Sequence, residues 1–407
     1  MDIRNPNPPV ASNEKGLVTD KIEKPKPPLY SDLMQSGDSL GVWVDTSSEE
    51  TYDDESLRQD LEEMDIQWSP ALQDIQKNIK PLVSAKGIPP FYLGVSSAGR
   101  GAHGTVVFCL PRPVAIAAKY SYMQGSPRTI AELKAQLVAV KVATNGRHFL
   151  RQARNEALTN EMLLEILKDR DVDTVPRFIS LLGRSSAGDS GHIIDSDRAT
   201  YWLAFDAVFP SMTVGHLWGA HLQKFSDVAE WLMLRVFCDV MEALQFLHSC
   251  NPPIVHNDFH MQNVMFYQSD GLPRVLLMDF GAAEALAADK AQDRIFEDEF
   301  RSVCHSMYKL YSQIIETEQD GHTVPKGWDK FRDTIIVEDD LETTFFEDDH
   351  TVYGRLLKLA EPIAQSALAN VDRKSVADIA KRLKEATEPE EAALLGKFQS
   401  MGLLPFS

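Results

Sequence analysis

Ile254-Val255-His256-Asn257-Asp258-Phe259-His260-Met261-Gln262-Asn263-Val264-Met265-Phe266 and, after a polar turn, Val275-Leu276-Leu277-Met278-Asp279-Phe280-Gly281 decide the fold of this chain. The two short apolar runs, separated by Ser269-Asp270-Gly271, have the composition of a β-hairpin. Such a hairpin would carry Asp279 back beside the loop that bears Asp258 and Asn263. Taken singly, each piece reads as a turn former; order and spacing make the set specific. Two carboxylates and an amide oxygen gathered in this way suit Mg²⁺ and a terminal phosphate. Hard cations take oxygen ligands, and phosphoryl transfer needs mainly positioning and charge neutralisation.

His256-Asn257-Asp258 with Asn263 resembles the catalytic loop of protein kinases, and Asp279-Phe280-Gly281 resembles their magnesium-binding motif. The resemblance implies a two-lobed α+β protein kinase-like fold, with ATP and Mg²⁺ bound between a small β-rich lobe and a larger helical one. It also implies Asp258 as the catalytic carboxylate and Asn263 and Asp279 as metal ligands.

Upstream, Gly99-Arg100-Gly101-Ala102-His103-Gly104-Thr105-Val106 lies between two strand-like runs and reads G-x-G-x-x-G-x-V. Glycines let backbone N–H groups approach phosphates, and the hairpin setting resembles the kinase Gly-rich loop. Gly99, Gly101, Gly104 and Val106 are therefore candidate nucleotide contacts. Leu137-Val138-Ala139-Val140-Lys141-Val142-Ala143 is an apolar strand carrying one cation, and it resembles the strand whose lysine binds the α- and β-phosphates. A competitor, Val114-Ala115-Ile116-Ala117-Ala118-Lys119, lies nearer the glycines. Lys141 is preferred because a long helical pattern, from about His148 to Lys168, follows it. Three acids on that helix could pair with Lys141. Glu161 shares a face with Ala157, Leu158 and Leu164, whereas Glu156 sits with Gln152, Thr159 and Asn160, so Glu161 is expected to point inward. By resemblance, Phe205, Asp206 and Val208 belong to a hinge whose backbone meets adenine.

The chain has 407 residues, 43% hydrophobic and 25% charged, in the range of a globular protein. A formal charge of −19 argues against nucleic acid or anionic membrane as partner, since both need clustered Lys and Arg. Four scattered cysteines without CxxC spacing fit a reducing, intracellular compartment, cytoplasmic or nuclear. Residues 1–65 are acidic and rich in Pro and Ser, as expected of a solvated leader. A helical lead-in over 66–90, a small lobe over 91–206, a large lobe over 207–385 and an apolar tail over 386–407 follow. The tail is expected to dock on the body.

Several features depart from the kinase pattern. Asn257 replaces the arginine that usually precedes the catalytic aspartate. Asp298 resembles the aspartate that opens the large core helix, which leaves a short activation segment without Ala-Pro-Glu. His260 stands where protein kinases usually carry lysine, and it resembles small-molecule kinases of the aminoglycoside and choline type; as a candidate catalytic residue it leaves the acceptor open. Three functions compete: a Ser/Thr protein kinase, a small-molecule kinase, and a silent binding module. The presence of Lys141, Asp258, Asn263 and Asp279 together weighs against the last.

Overall fold

The computed structural model describes residues 70–101, 103–143, 147–168, 178–185, 201–221, 229–269, 272–287 and 373–406, with pieces at 295–296, 298–303, 305–307 and 309. It is a mixed α+β structure. The leader and the acidic runs at 338–349, like the helix start expected at Ser226, lie outside the described residues.

Helix α1 (Pro70–Asn78) precedes β1 (Tyr92–Arg100) and β2 (Gly104–Pro111). Next come α2 (Arg112–Met123), α3 (Ile130–Lys134) and β3 (Val138–Ala143), then α4 (Arg147–Leu167), β4 (Leu181–Arg184) and β5 (Trp202–Asp206). The five strands form one antiparallel sheet in the order β1-β2-β3-β5-β4. In β3 the side chains alternate. Val138, Val140 and Val142 pack with Val107, Cys109 and Ala204 on one face, while Ala139 and Ala143 pack with Ala153 and Ala157 of α4 on the other. Lys141 shares the α4 face, so period two aims its ammonium at that helix.

The segment from Pro111 to Leu133 forms two helices instead of a strand. Proline in the first turn suits the start of α2, and Ala115, Ile116 and Ala118 bury one stripe of it. Lys119 therefore sits on a helix, with its Cε 3.9 Å from where a Cβ on Gly402 would lie. Thr129 and Glu132 form a capping box at the start of α3.

Beyond β5 come α5 (Val214–His221), α6 (Ala229–His248), β6 (Ile254–Val255), β7 (Val264–Ser269), β8 (Leu272–Leu277) and β9 (Glu284–Ala285). Asp239 of α6 accepts from the N–H of Val275 (3.0 Å) and from Nε of Arg274 (3.1 Å), which pins the β7–β8 hairpin to the helix. A core of Leu232, Val236, Phe237, Val240, Leu244 and Leu247 with Val264, Phe266, Val275 and Leu277 forms beneath.

Helix α7 (Arg373–Ser400) runs without a break through residue 386, where a separate tail is expected to begin. Its Ile379 and Leu383 belong to the core around α6, while its Leu394 and Phe398 belong to the core of the sheet. Gly402 at φ +67° closes it, with Leu403 N–H donating to Phe398 O at 3.0 Å. Lys397 Nζ donates to Ser96 Oγ of β1 at 2.6 Å, and Lys134 of α3 pairs with Glu391 at 2.6 Å. The expected docking of the apolar tail thus takes the form of one long helix. Among the described residues no helix is long and apolar enough to cross a membrane.

Candidate active site

Residues Val264 to Ser269 pair with Leu272 to Leu277, Val264 opposite Leu277. The expected hairpin is formed, although residues 270 and 271 of its turn are outside the described set. Met278 N–H then donates to Asn263 O at 3.0 Å, so the residue before Asp279 is stitched to the loop that holds Asp258. His256 reinforces this. Fully buried, it donates from Nε2 to Met278 O at 3.0 Å, while its Nδ1 accepts a long 3.4 Å bond from the Asp258 N–H. Burial lowers its pKa, which suits the neutral ring these two bonds require.

Asn263 is buried. Its Nδ2 donates to Asp258 O at 2.9 Å and, more weakly, to Asp258 Oδ2 at 3.4 Å, which turns its carbonyl oxygen away from that residue. Asp258 is partly exposed, and His260 Nε2 lies 3.8 Å from its Oδ1. Asn257, at φ 61°, donates its backbone N–H to Glu299 Oε1 at 2.7 Å, and Glu299 Oε2 meets His248 Nε2 at 2.7 Å. The loop is therefore braced by Glu299. Asp298, which resembles the aspartate that opens the large core helix, has a 64% exposed side chain that lies 3.9 Å from Arg301. One step along a helix rotates a side chain by about 100°, so only one of the two can face the loop.

Lys141 Nζ lies 2.7 Å from Glu156 Oε2 and 3.0 Å from Asp279 Oδ1. Glu156, not Glu161, is thus its helix partner. Glu161 is 43% exposed and bound to Arg184 at 2.7 Å. The buried residues of α4 are Ala153, Glu156, Ala157, Thr159, Asn160 and Leu163, whereas Leu158 and Leu164 face outward. Polarity of neighbours points the wrong way here because Asn160 is buried with its Nδ2 on Glu156 O at 2.8 Å. The 3/4 spacing of small residues about Glu156 is the signal that could have found it.

Burial disfavours the charge on Lys141, but Glu156 and Asp279 outweigh it and hold the ammonium above its ordinary range. Burial also pushes Glu156 up, to about 7 despite Lys141. For Asp279 burial works upward too, yet Lys141 prevails and keeps the carboxylate below its ordinary value. Asn155, one residue before Glu156, donates from Nδ2 to Gly281 O (3.1 Å) and Ala283 O (2.6 Å), which holds the segment after Asp279 against α4. Asn155 and Glu299 are the site residues that sequence reasoning missed; Glu156 was weighed and set aside, and His256 was quoted in the loop motif without a role of its own.

The Gly-rich hairpin pairs Gly99 with Val106 and Arg100 with Thr105, and Gly101 N–H closes it on Gly104 O at 2.9 Å. Val106 stands opposite Lys141 in the sheet. A Cβ on Gly104 would lie 2.5 Å from Val142 O, so this glycine is demanded by strand packing. At Gly99 and Gly101 a Cβ would meet nothing within 4 Å, which leaves room for a ligand beside the backbone. Further along, Phe205 is buried in the sheet core and the Asp206 N–H is taken by Ser180 O at 2.9 Å. Of the expected hinge contacts, that amide is therefore engaged. Val208 follows in open, half-buried coil.

No cluster of three or more His, Cys, Asp or Glu able to hold a metal occurs among the described residues. Mg²⁺ needs only one or two protein oxygens when phosphates and water complete its shell, so the oxygens of Asn263 and Asp279 would suffice to hold it.

No family model matches the chain. Short stretches are similar to Dictyostelium discoideum kinases. One of 47 residues is 40% identical to "Probable serine/threonine-protein kinase samkC", covering 12% of this chain and 5% of that protein. Another of 55 residues is 33% identical to "Probable serine/threonine-protein kinase roco6", covering 14% of this chain and 3% of that protein. These partial matches support a kinase-like relationship and nothing finer.

Proposed function

We propose that the chain is an ATP-dependent phosphotransferase with a two-lobed kinase-like fold that moves the γ-phosphate of MgATP to a protein Ser or Thr hydroxyl. The observation that carries this reading is Lys141 held between Glu156 and Asp279. That places a fixed cation next to the Gly-rich hairpin and next to a carboxylate stitched, through Met278, to the Asp258 loop. Lys141 would hold the inner phosphates in place, steadied by Glu156. Asn263 and Asp279 would hold Mg²⁺, which supplies charge neutralisation on the phosphates when bound. Asp258, partly exposed and oriented by Asn263, would align the acceptor hydroxyl and take its proton as the bond to phosphorus forms.

A second reading, a small-molecule kinase, is favoured by His260 beside Asp258, since a compact ring stands where a protein kinase keeps a long cation. Transfer of labelled γ-phosphate to a mixed protein panel and to a small-alcohol panel separates the two. Label in neither panel would leave only a binding module. An intracellular setting belongs to the same proposal. Its support is that Cys109, Cys238 and Cys250 are buried, with burial pushing the Cys109 thiol up to about 12.

A further inference from the structure

His103, at the tip of the Gly-rich hairpin, has no task in the mechanism above. We propose that His103 is a specificity-determining residue, donating a hydrogen bond to the terminal phosphate so that the site prefers a nucleoside triphosphate to a diphosphate. The inference rests on the phosphotransferase reading and deepens it.

The placement follows from register. Gly104 is packed against the backbone of Val142 and pairs with Ala143, so the residue before it stands at the mouth of the β2–β3 edge, near Lys141 in the ladder. The His103 ring then leans on Phe149, with centroids 5.9 Å apart and planes tilted by 41°. Phe149 lies three residues before Gln152 and seven before Glu156, on the same face of α4. Along that face runs the segment of Asp279: a Cβ on Gly281 would be 3.6 Å from Gln152 Cβ, and Asn155 holds the carbonyls of Gly281 and Ala283. His103 is thus folded down toward the Asp279 end of the site rather than fully out into solvent.

The chemistry suits an outermost phosphate. An imidazole carries an N–H donor in either protonation state. Lys141 is committed to the inner end by its strand and by Glu156, whereas His103 comes from the tip of the hairpin. The open space at Gly99 and Gly101 lets phosphates pass beneath the turn to reach it. A diphosphate would end short of the ring.

The test is equilibrium binding of a non-hydrolysable ATP analogue and of ADP, both with Mg²⁺, to the full chain and two variants. His103→Phe keeps the ring against Phe149 but removes the donor; His103→Gln keeps a donor. The triphosphate-to-diphosphate affinity ratio is expected to fall about tenfold in His103→Phe, the scale of one hydrogen bond to a charged group, and to survive largely in His103→Gln. An unchanged ratio in His103→Phe, or an equal fall in both variants, overturns the inference while leaving the phosphotransferase reading standing. A wild-type chain that binds neither nucleotide overturns both.

Discussion

Asn155 and Glu156 are consecutive on α4 yet hold different halves of the site. Asn155 binds the carbonyls of Gly281 and Ala283, and Glu156 binds the ammonium of Lys141. One turn of helix thereby sets the position of the sheet cation against the position of Asp279.

It follows that Glu156→Ala and Lys141→Ala are expected to abolish MgATP binding measured by calorimetry. Lys141→Ala leaves buried Glu156 without its cation, at a cost of about 3–5 kcal/mol in unfolding experiments, whereas Glu156→Ala leaves Lys141 still paired with Asp279 and costs less. Glu161→Ala breaks only an exposed pair and is expected to cost under about 1 kcal/mol with binding intact. Lys119→Ala, on α2, is expected to leave binding unchanged. Loss of binding in Glu161→Ala with retention in Glu156→Ala would reverse this assignment.

Glu156 also predicts a pH dependence. Its pKa is raised from 4.5 unfolded to about 7 folded, so between those values the folded chain holds the proton more tightly. Its contribution to stability is therefore full below about 4.5, declines as pH rises, and is gone above about 7. Activity should run the other way, because the ion pair with Lys141 needs the carboxylate. The acid limb of the kcat/KM profile for ATP is expected to have a midpoint near 7 and to vanish in Glu156→Gln. An identical limb in that variant would assign it to another group.

For Asp258→Asn, folding and MgATP binding are expected to persist while transfer falls by about 10²–10⁴-fold, the usual worth of a positioned general base. Single-turnover kinetics with labelled ATP would measure it. Undiminished transfer would remove Asp258 from the mechanism.

Glu299→Gln is expected to weaken the anchor on the Asn257 N–H and lower kcat with little change in nucleotide affinity, whereas Asp298→Asn should change neither. Steady-state kinetics on both variants decide between the two acids.

How far the sequence alone could go depended on the range of the interactions. Asp258, Asn263 and Asp279 were legible because a hairpin is local: the turn composition and two apolar runs suffice to bring them together. Lys141 was legible as the one cation in a buried strand. Glu156 was not, since nothing in the neighbours of a helical residue shows which face a distant lysine occupies. Buried Asn160 and Thr159 beside outward-facing Leu158 and Leu164 inverted the usual polarity cue. Glu299 against Asp298 was a matter of helix phase alone. The resemblance placed Asp298 at the start of a helix and carried no information on which neighbouring acid turns toward the loop. Helix α2 was hidden because Val114 to Ala118 is apolar throughout, and such a run fits a buried strand or a buried helix equally well.

The reach of α7 into the sheet core bears on the order in which the chain can mature. Leu394, Phe398, Leu403 and Leu404 fill space beside Leu93, Leu110 and Ile116, some three hundred positions earlier in synthesis. Domains ordinarily consolidate from the amino terminus as they leave the ribosome. Here the five-stranded sheet, although made first, must wait with an open apolar face until residues 394–404 have been translated. The helical half around α6 faces a shorter delay, for its α7 contacts at Ile379 and Leu383 come off the ribosome sooner. Over that interval the nascent sheet is the surface that a chaperone would have to shield.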